Sequence, residues 1–289
     1  MTMEKEIAWF KENLNKSHIH GRNILAKLQT SSILFTTQKK QLQKVIEKYK
    51  EWNNNNEMLT EYSDDAINQR VKWLNDYKNE IKNVDFSAQS KFHSTVPEEF
   101  LCYLFKDYLQ KLNNYAQNNS EEIKKIQLGG TRTYSNLYFA PENLVDFIKT
   151  PNMKINENDL DFAIYRTILI KADGEQKLIN VPVVSIECKT YIDKTMLEGS
   201  IATAEKIKNG NPYCLFLVVT ECYDVSLDVD PAYSRINQIY VLKKEKRKSK
   251  NSKPIDFEVV KDLFKFVRNH LERNWSNIEQ KLIKEGKIL

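Results

Sequence analysis

No apolar run in this 289-residue chain approaches the ~20 residues that a membrane-crossing helix needs. The opening residues, Met-Thr-Met-Glu-Lys-Glu-Ile-Ala-Trp-Phe, lack the basic-then-apolar pattern of a secretory signal. A cytoplasmic protein with no membrane partner is expected. Cysteine is scarce: Cys102, Cys188, Cys214 and Cys222 form no Cys-x-x-Cys pair. Three of them lie in or beside apolar segments, so buried free thiols are expected. Four scattered histidines give no zinc-ligand spacing. His18 and His20, two apart in a polar region, read as surface residues. Repeats and long low-complexity tracts are also missing.

What remains is an ordinary globular composition, 41% hydrophobic and 29% charged. The length suits one large or two modest domains. The net charge of +5 is mild but unevenly spread. Lys243-Lys-Glu-Lys246-Arg247-Lys-Ser-Lys250, extended by Lys253, is a dense basic run. Such a run suits phosphate contact, and equally a solvated loop between a strand and a helix.

The first ~90 residues read as helical. Leu42, Val45, Ile46, Tyr49 and Trp52 fall at helical spacing, and Asn53 to Asn56 should break that pattern. A second helix should begin near Ser63, with Ile67, Val71, Leu74 and Tyr77 on its apolar edge. Residues 1–91 are thus expected as a helical N-terminal subdomain and 92–289 as the core. Thr95-Val-Pro-Glu98 is a capping box opening a helix with Phe100, Leu101, Leu104, Phe105, Tyr108 and Leu112 on its apolar face. Gly129-Gly130 and Thr131 to Asn136 follow, and Pro141 can open a short helix. A further helix after Lys189 has Thr195 and Glu198 as a capping box, with Leu197, Ile201, Ala204 and Ile207 inward. Tyr213 to Thr220 reads as a central strand buried on both faces. The strand–helix–strand order implies a right-handed crossover. Ile236 to Leu242 is another strand. The chain ends in an amphipathic helix with Val259, Leu263, Phe266, Val267 and Leu271 inward. The sum is an α/β fold, a mixed central sheet flanked by helices.

The chemistry concentrates on two apolar strands. Asp161 opens Asp-Phe-Ala-Ile-Tyr; Glu187-Cys188-Lys189 closes Val-Pro-Val-Val-Ser-Ile-Glu-Cys-Lys. Six Glu-x-Lys triplets occur, but only this one ends an apolar run. In a strand Glu187 and Lys189 share a face, and Cys188 points away. A structural ion pair would account for them alone. Asp161 adds a second carboxylate, and clustered titratable groups mark sites. Asp173-Gly174 between the strands reads as a hairpin turn. A regular two-residue turn would set Asp161 opposite Ile186, on the wrong face. The hairpin should therefore contain either a three-residue loop or a bulge, which Pro182 could force.

This order of elements and charges resembles the PD-(D/E)xK nuclease superfamily, which includes most type II restriction endonucleases. Asp161, Glu187 and Lys189 stand at its motif positions; Leu160 replaces the leading proline. Glu187 to Ser200 and Gly129 to Asn136 resemble BbvCI-type restriction endonucleases, built from two related subunits that each cut one strand of an asymmetric site. The resemblance implies double-stranded DNA as substrate and Mg²⁺ on Asp161, Glu187 and the Cys188 carbonyl. Glu98 or Glu99 on the first core helix would be a further ligand, and Asp159 a fallback. Lys189 would handle the attacking water. It also implies a second subunit, as heterodimer or homodimer. Candidate DNA contacts are Arg132, Tyr134, Ser135, Asn136, Arg166, Lys194, Thr195, Arg235, Lys246 and Arg247. The alternatives are a non-catalytic DNA-binding subunit and a repair or transposition nuclease of the same fold.

Overall fold

Strands β1 (Gln127–Phe139), β2 (Met153–Ala172), β3 (Glu175–Ile192), β4 (Leu215–Tyr223) and β5 (Gln238–Val241) lie side by side in chain order in one sheet. They belong to a computed structural model that describes residues 3–31, 36–84, 86, 92–118, 125–150, 152–172, 174–247, 252–273, 275 and 278–286. β1, β2 and β3 run antiparallel, while β3–β4 and β4–β5 are parallel. The mixed sheet flanked by helices is the expected class. The long edge strand β1 was not anticipated: its glycines and polar residues hide the pattern. It carries Gly129 at φ 120°, open to glycine at little cost.

The parallel step from β3 to β4 is made by α7 (Lys194–Gly210), as the apolar Tyr213–Thr220 segment implied. Every β4 residue from Leu215 to Cys222 is buried, as a strand covered on both faces must be. The N-cap of α7 is Asp193, whose side chain accepts from the Met196 amide at 2.9 Å; Thr195 lies exposed in the first turn. Asp193, two residues before Thr195, takes the capping role. At its other end α7 touches β1 so closely that a Cβ on Gly210 would lie 1.8 Å from the Ser135 carbonyl oxygen. Only glycine fits there.

Helices α1 (Met3–Asn13), α2 (Ile19–Gln29), α3 (Thr36–Met58), α4 (Asp64–Ile81) and α5 (Thr95–Asn118) form the N-terminal region. α6 (Leu144–Lys149) is capped by Asn143, so it begins later than Pro141. α4 starts where expected, with Ser63 capping the Ala66 amide. α3 instead runs straight through Asn53–Asn56. Asn53 donates to the Tyr103 hydroxyl at 2.8 Å and Asn56 Oδ1 accepts from Arg70 at 3.0 Å. Tertiary partners thus override the weak helix preference of asparagine. His18 and His20 are buried, not on the surface. His20 lies between the Tyr77 hydroxyl at 2.7 Å and Thr95 Oγ1 at 3.1 Å, and burial pushes its pKa down to about 3.

One continuous apolar core joins these helices to one face of the sheet and to α8 (Phe257–Glu272). Residue 91, where the subdomain boundary was expected, lies outside the described residues. α8 buries Val260, Leu263, Phe264, Val267 and His270; Phe266 is partly exposed beside Tyr240. The inner face is thus rotated from the one its spacing suggested. A smaller cluster, Leu160, Ala163, Leu197, Ala204, Ile207, Phe216 and Val218 among others, lies between the opposite face of the sheet and α7. All four cysteines are buried and free. A short helix, α9 (Ile278–Glu285), follows α8. Among the described residues no helix is long and apolar enough to cross a membrane.

Arg70 ties α4 to α3 and α5. Fully buried, it donates to the Asn56 carbonyl at 2.9 Å and to Asp107 at 2.7 Å. Removing one member of a buried pair strands the other. Arg70→Ala should lower unfolding free energy by about 3–5 kcal/mol in a denaturant titration. A loss below ~1 kcal/mol would show that water replaces the guanidinium.

Candidate active site

Two bulges in β2 and β3 build the site. Near the turn the register is regular, with Ala172 opposite Glu175 and Tyr165 opposite Pro182. Gly174 takes the left-handed conformation that a tight turn needs (φ 81°), and Asp173 lies outside the described residues. Then Ile164 pairs with Val184, and Val183 is left as the extra residue. The odd register is therefore absorbed by a bulge at Pro182–Val183, and the three-residue loop is not used. Phe162 faces Ile186, and one more step sets Asp161 across from Glu187.

The second bulge lies on the β1 side. Gly129 pairs with Ala163 and Thr131 with Leu160, so Gly130 alone opposes Asp161 and Phe162. A Cβ on Gly130 would lie 3.1 Å from the Asp161 carbonyl oxygen, tighter than a side chain normally allows. Bulges re-aim side chains beside active sites. This one breaks the alternation, and Leu160 packs into the cluster on the α7 side. Asp159 is displaced, lying exposed opposite Arg132. It does not share the face of Asp161, as plain alternation had suggested.

Asp161, Glu187 and Lys189 meet. The Lys189 Nζ lies 3.5 Å from Asp161 Oδ2 and 3.4 Å from Glu187 Oε2. The Cys188 amide donates to the same Asp161 oxygen at 2.8 Å. The side chains of Asp161, Glu187 and Lys189 are 32%, 12% and 28% exposed, so solvent and a ligand can reach them. Burial pulls the pKa of Lys189 down, but the charges of Asp161 and Glu187 outweigh it and hold the lysine above its usual value. The Cys188 thiol points into the core on the opposite face, where burial keeps it protonated.

The side chains that meet therefore present carboxylate oxygens to a ligand, with no sulfur or imidazole beside them. Such hard donors suit Mg²⁺. The carboxylates already hold one positive charge between them. Among the described residues no three His, Cys, Asp or Glu side chains converge. Two carboxylates are thus the side-chain set.

Glu99 is not brought there. Fully buried, its Oε2 accepts from the His20 and Gly21 amides at 2.9 and 3.0 Å. Its Oε1 accepts from the Tyr49 and Tyr103 hydroxyls at 2.8 and 2.7 Å. It caps the first turn of α2 and locks three helices together. Glu98 is buried on the core side of β3, where its charge reaches the Cys188 thiol.

Ser200, which the sequence did not mark as a candidate site residue, completes the site. Fully buried on α7, it donates to Glu187 Oε2 at 2.6 Å. A serine within a helix carries no local signal of such a contact.

The other candidates separate by exposure. Arg132, Asn136, Arg166, Lys194, Thr195, Lys246 and Arg247 are exposed, and Tyr134 is half-buried. Arg247 stacks on the Tyr191 ring at 3.4 Å. Tyr191 follows Lys189 by two residues on β3, so Arg247 borders the site. Ser135 is buried and donates to the Asn156 carbonyl at 3.0 Å, which removes it from the outer surface. Arg235 is bound to Glu205 at 3.0 Å and to Asn209 at 2.9 Å, at the end of α7 away from Ser200. In the basic run, Lys243 pairs with Glu221 and Lys244 with Asp256. Residues 248–251 lie outside the described residues.

The family model described as Bpu10I restriction endonuclease matches residues 89–273. The chain is also similar to a chain of the solved structure titled "native BbvCI A2B2 tetramer at low resolution". The TM-score is 0.65 at 18% identity, over 89% of this chain and 96% of that one. No curated protein matches.

Ser200→Ala should keep the fold and, where Glu187 ligates a metal, slow phosphodiester cleavage about 10- to 100-fold. Single-turnover rates on a duplex substrate would measure it. An unchanged rate would mean that Glu187 is oriented without the serine.

Proposed function

As a member of the Bpu10I restriction endonuclease family, the chain is a type II restriction deoxyribonuclease, and we propose that it hydrolyses DNA phosphodiesters with Mg²⁺ at Asp161, Glu187 and Lys189. The observation that carries this reading is the meeting of two carboxylates and a lysine at the accessible end of one hairpin.

Asp161 and Glu187, with the main-chain carbonyl of Cys188, would hold the cation. When bound, it would polarise the scissile phosphate and lower the pKa of a water. Glu187 enters this role already oriented by Ser200, and Asp161 by the Cys188 amide. Lys189, held as an ammonium by its two neighbours, orients the attacking water. It also offsets the charge that builds on the phosphate oxygens. In-line attack leaves a 5′-phosphate and a 3′-hydroxyl.

The DNA approaches the face that carries these groups. Lys194 and Thr195 open α7 just beyond the catalytic strand, where a helix N-terminus favours phosphate. Lys246 and Arg247 flank it. Arg132, Tyr134 and Asn136 on β1 are the candidates for base contact, since arginine suits guanine and asparagine suits adenine. The BbvCI relative is an A2B2 tetramer. By analogy this chain is one subunit that works beside a second, related one, each cutting one strand. One catalytic trio per chain is in keeping with one cut per chain.

Asp161→Ala, Glu187→Ala and Lys189→Ala should each abolish cutting of supercoiled plasmid in Mg²⁺ while leaving the fold intact. Wild type should give discrete nicks alone, and linear DNA once a second subunit is supplied. Cutting that survives Glu187→Ala would refute the assignment.

A further inference from the structure

The Pro182–Val183 bulge sets the register of the site, and two side chains from opposite faces of the sheet grip it. A bulge turns its carbonyls out of the ladder. The Pro182 carbonyl accepts from Asn211 Nδ2 at 2.6 Å, and the Val183 carbonyl from His270 Nε2 at 3.1 Å. Asn211 is the C-cap of α7, which covers one face. His270 lies in the last turn of α8, which covers the other. Neither residue approaches the carboxylates, and the mechanism above uses neither.

His270 is built for this contact. A carbonyl only accepts, so Nε2 carries the proton. Among the described residues the buried Nδ1 atom has no hydrogen-bond partner. Burial and the charge of Arg273 push the pKa of His270 down to about 4, which keeps the ring neutral. Trp275 stacks on the imidazole at 5.4 Å and donates to the His270 carbonyl at 2.7 Å, fixing the ring plane. Asn211 is held as firmly: its amide donates to the Ile207 carbonyl at 2.9 Å and its Oδ1 accepts from the Tyr213 amide at 3.2 Å.

We propose that Asn211 and His270 are positioning residues that clamp the Pro182–Val183 bulge and so hold Asp161 opposite Glu187. This rests on the active-site reading above. The clamp acts through the backbone of β3. Where it loosens, the extra residue is free to move along the hairpin, and Asp161 drifts from its place across from Glu187. A side chain misplaced by about 1 Å can cost ~100-fold in rate.

Two readouts on the full chain test the clamp. The first is exchange of the Cys188 amide hydrogen, which Asp161 accepts only in the correct register. The second is the single-turnover rate of duplex cleavage in Mg²⁺. Asn211→Ala with His270→Phe should speed that exchange and slow cleavage, each by about tenfold or more. His270→Gln places an amide donor near the Nε2 position and should restore both to within about threefold of wild type. If the double variant does not fold, Asn211→Ala alone and the contrast of His270→Phe with His270→Gln carry the same test. Wild-type exchange and cleavage in the double variant would overturn the clamp. So would equal losses in His270→Gln and His270→Phe, since ring packing would then be the cause. Asp161→Ala and Glu187→Ala run beside them: if these cut like wild type, the active-site reading fails, while the exchange result still decides the clamp.

Discussion

β3 carries one residue more than β2 between the turn and the carboxylates, and the site depends on where that residue is absorbed. In a ladder with a period of two, a single unmatched residue moves every later side chain to the other face. Here the mismatch falls at Pro182, which cannot donate to the ladder and so loses least by leaving it. Past that point Phe162 and Ile164 still enter the large core, and Asp161 comes round to Glu187. The bulge opposite Gly130 then brings Asp161 and Leu160 onto the α7 side together. The hydrophobic pattern and the meeting of the charged trio are satisfied by the same two irregularities.

The sheet divides the work between its faces. One face packs with the N-terminal helices and α8 in the main core. The other, beneath α7, carries the charged trio at its accessible end. Clustering two carboxylates and an ammonium there costs desolvation, which is offset because each has a close partner: Lys189 for both acids, Ser200 for Glu187 and a main-chain amide for Asp161. Glu99 shows the opposite outcome for the same side-chain type. Surrounded by four donors and closed to solvent, it holds α2, α3 and α5 together. Accessibility, not charge alone, separates the candidate carboxylates from the structural one.

Asp161, Glu187 and Lys189 were legible in the sequence because strand periodicity is local and because charge at the end of an apolar run stands out. The need for either a bulge or an odd loop was legible too, since it follows from counting residues on either side of Asp173-Gly174. The choice of bulge over loop follows from the chemistry of Pro182. Partners that come from distant elements were not legible. Ser200, Asn211 and His270 act on residues of another element; Ser200 and His270 read locally as ordinary helix residues and Asn211 as part of a helix stop. Asn53 and Asn56 read as helix breakers because their buried partners on α4 and α5 are invisible to a local scan. Ser135 reads as a surface group until the crossing of α7 over β1 is known, and the pairing of exposed Arg235 with Glu205 is equally invisible to a local scan.

The central claim is that Asp161 and Glu187 hold one divalent cation between two strands. Iron(II) bound in place of magnesium, with ascorbate and peroxide, cleaves a polypeptide next to the metal. Fragments read by mass spectrometry should break near 161 and near 187 together, and both breaks should vanish in Asp161→Ala. Breaks at only one of the two strands, or at segments far from both while Mg²⁺-dependent cutting persists, would contradict the account.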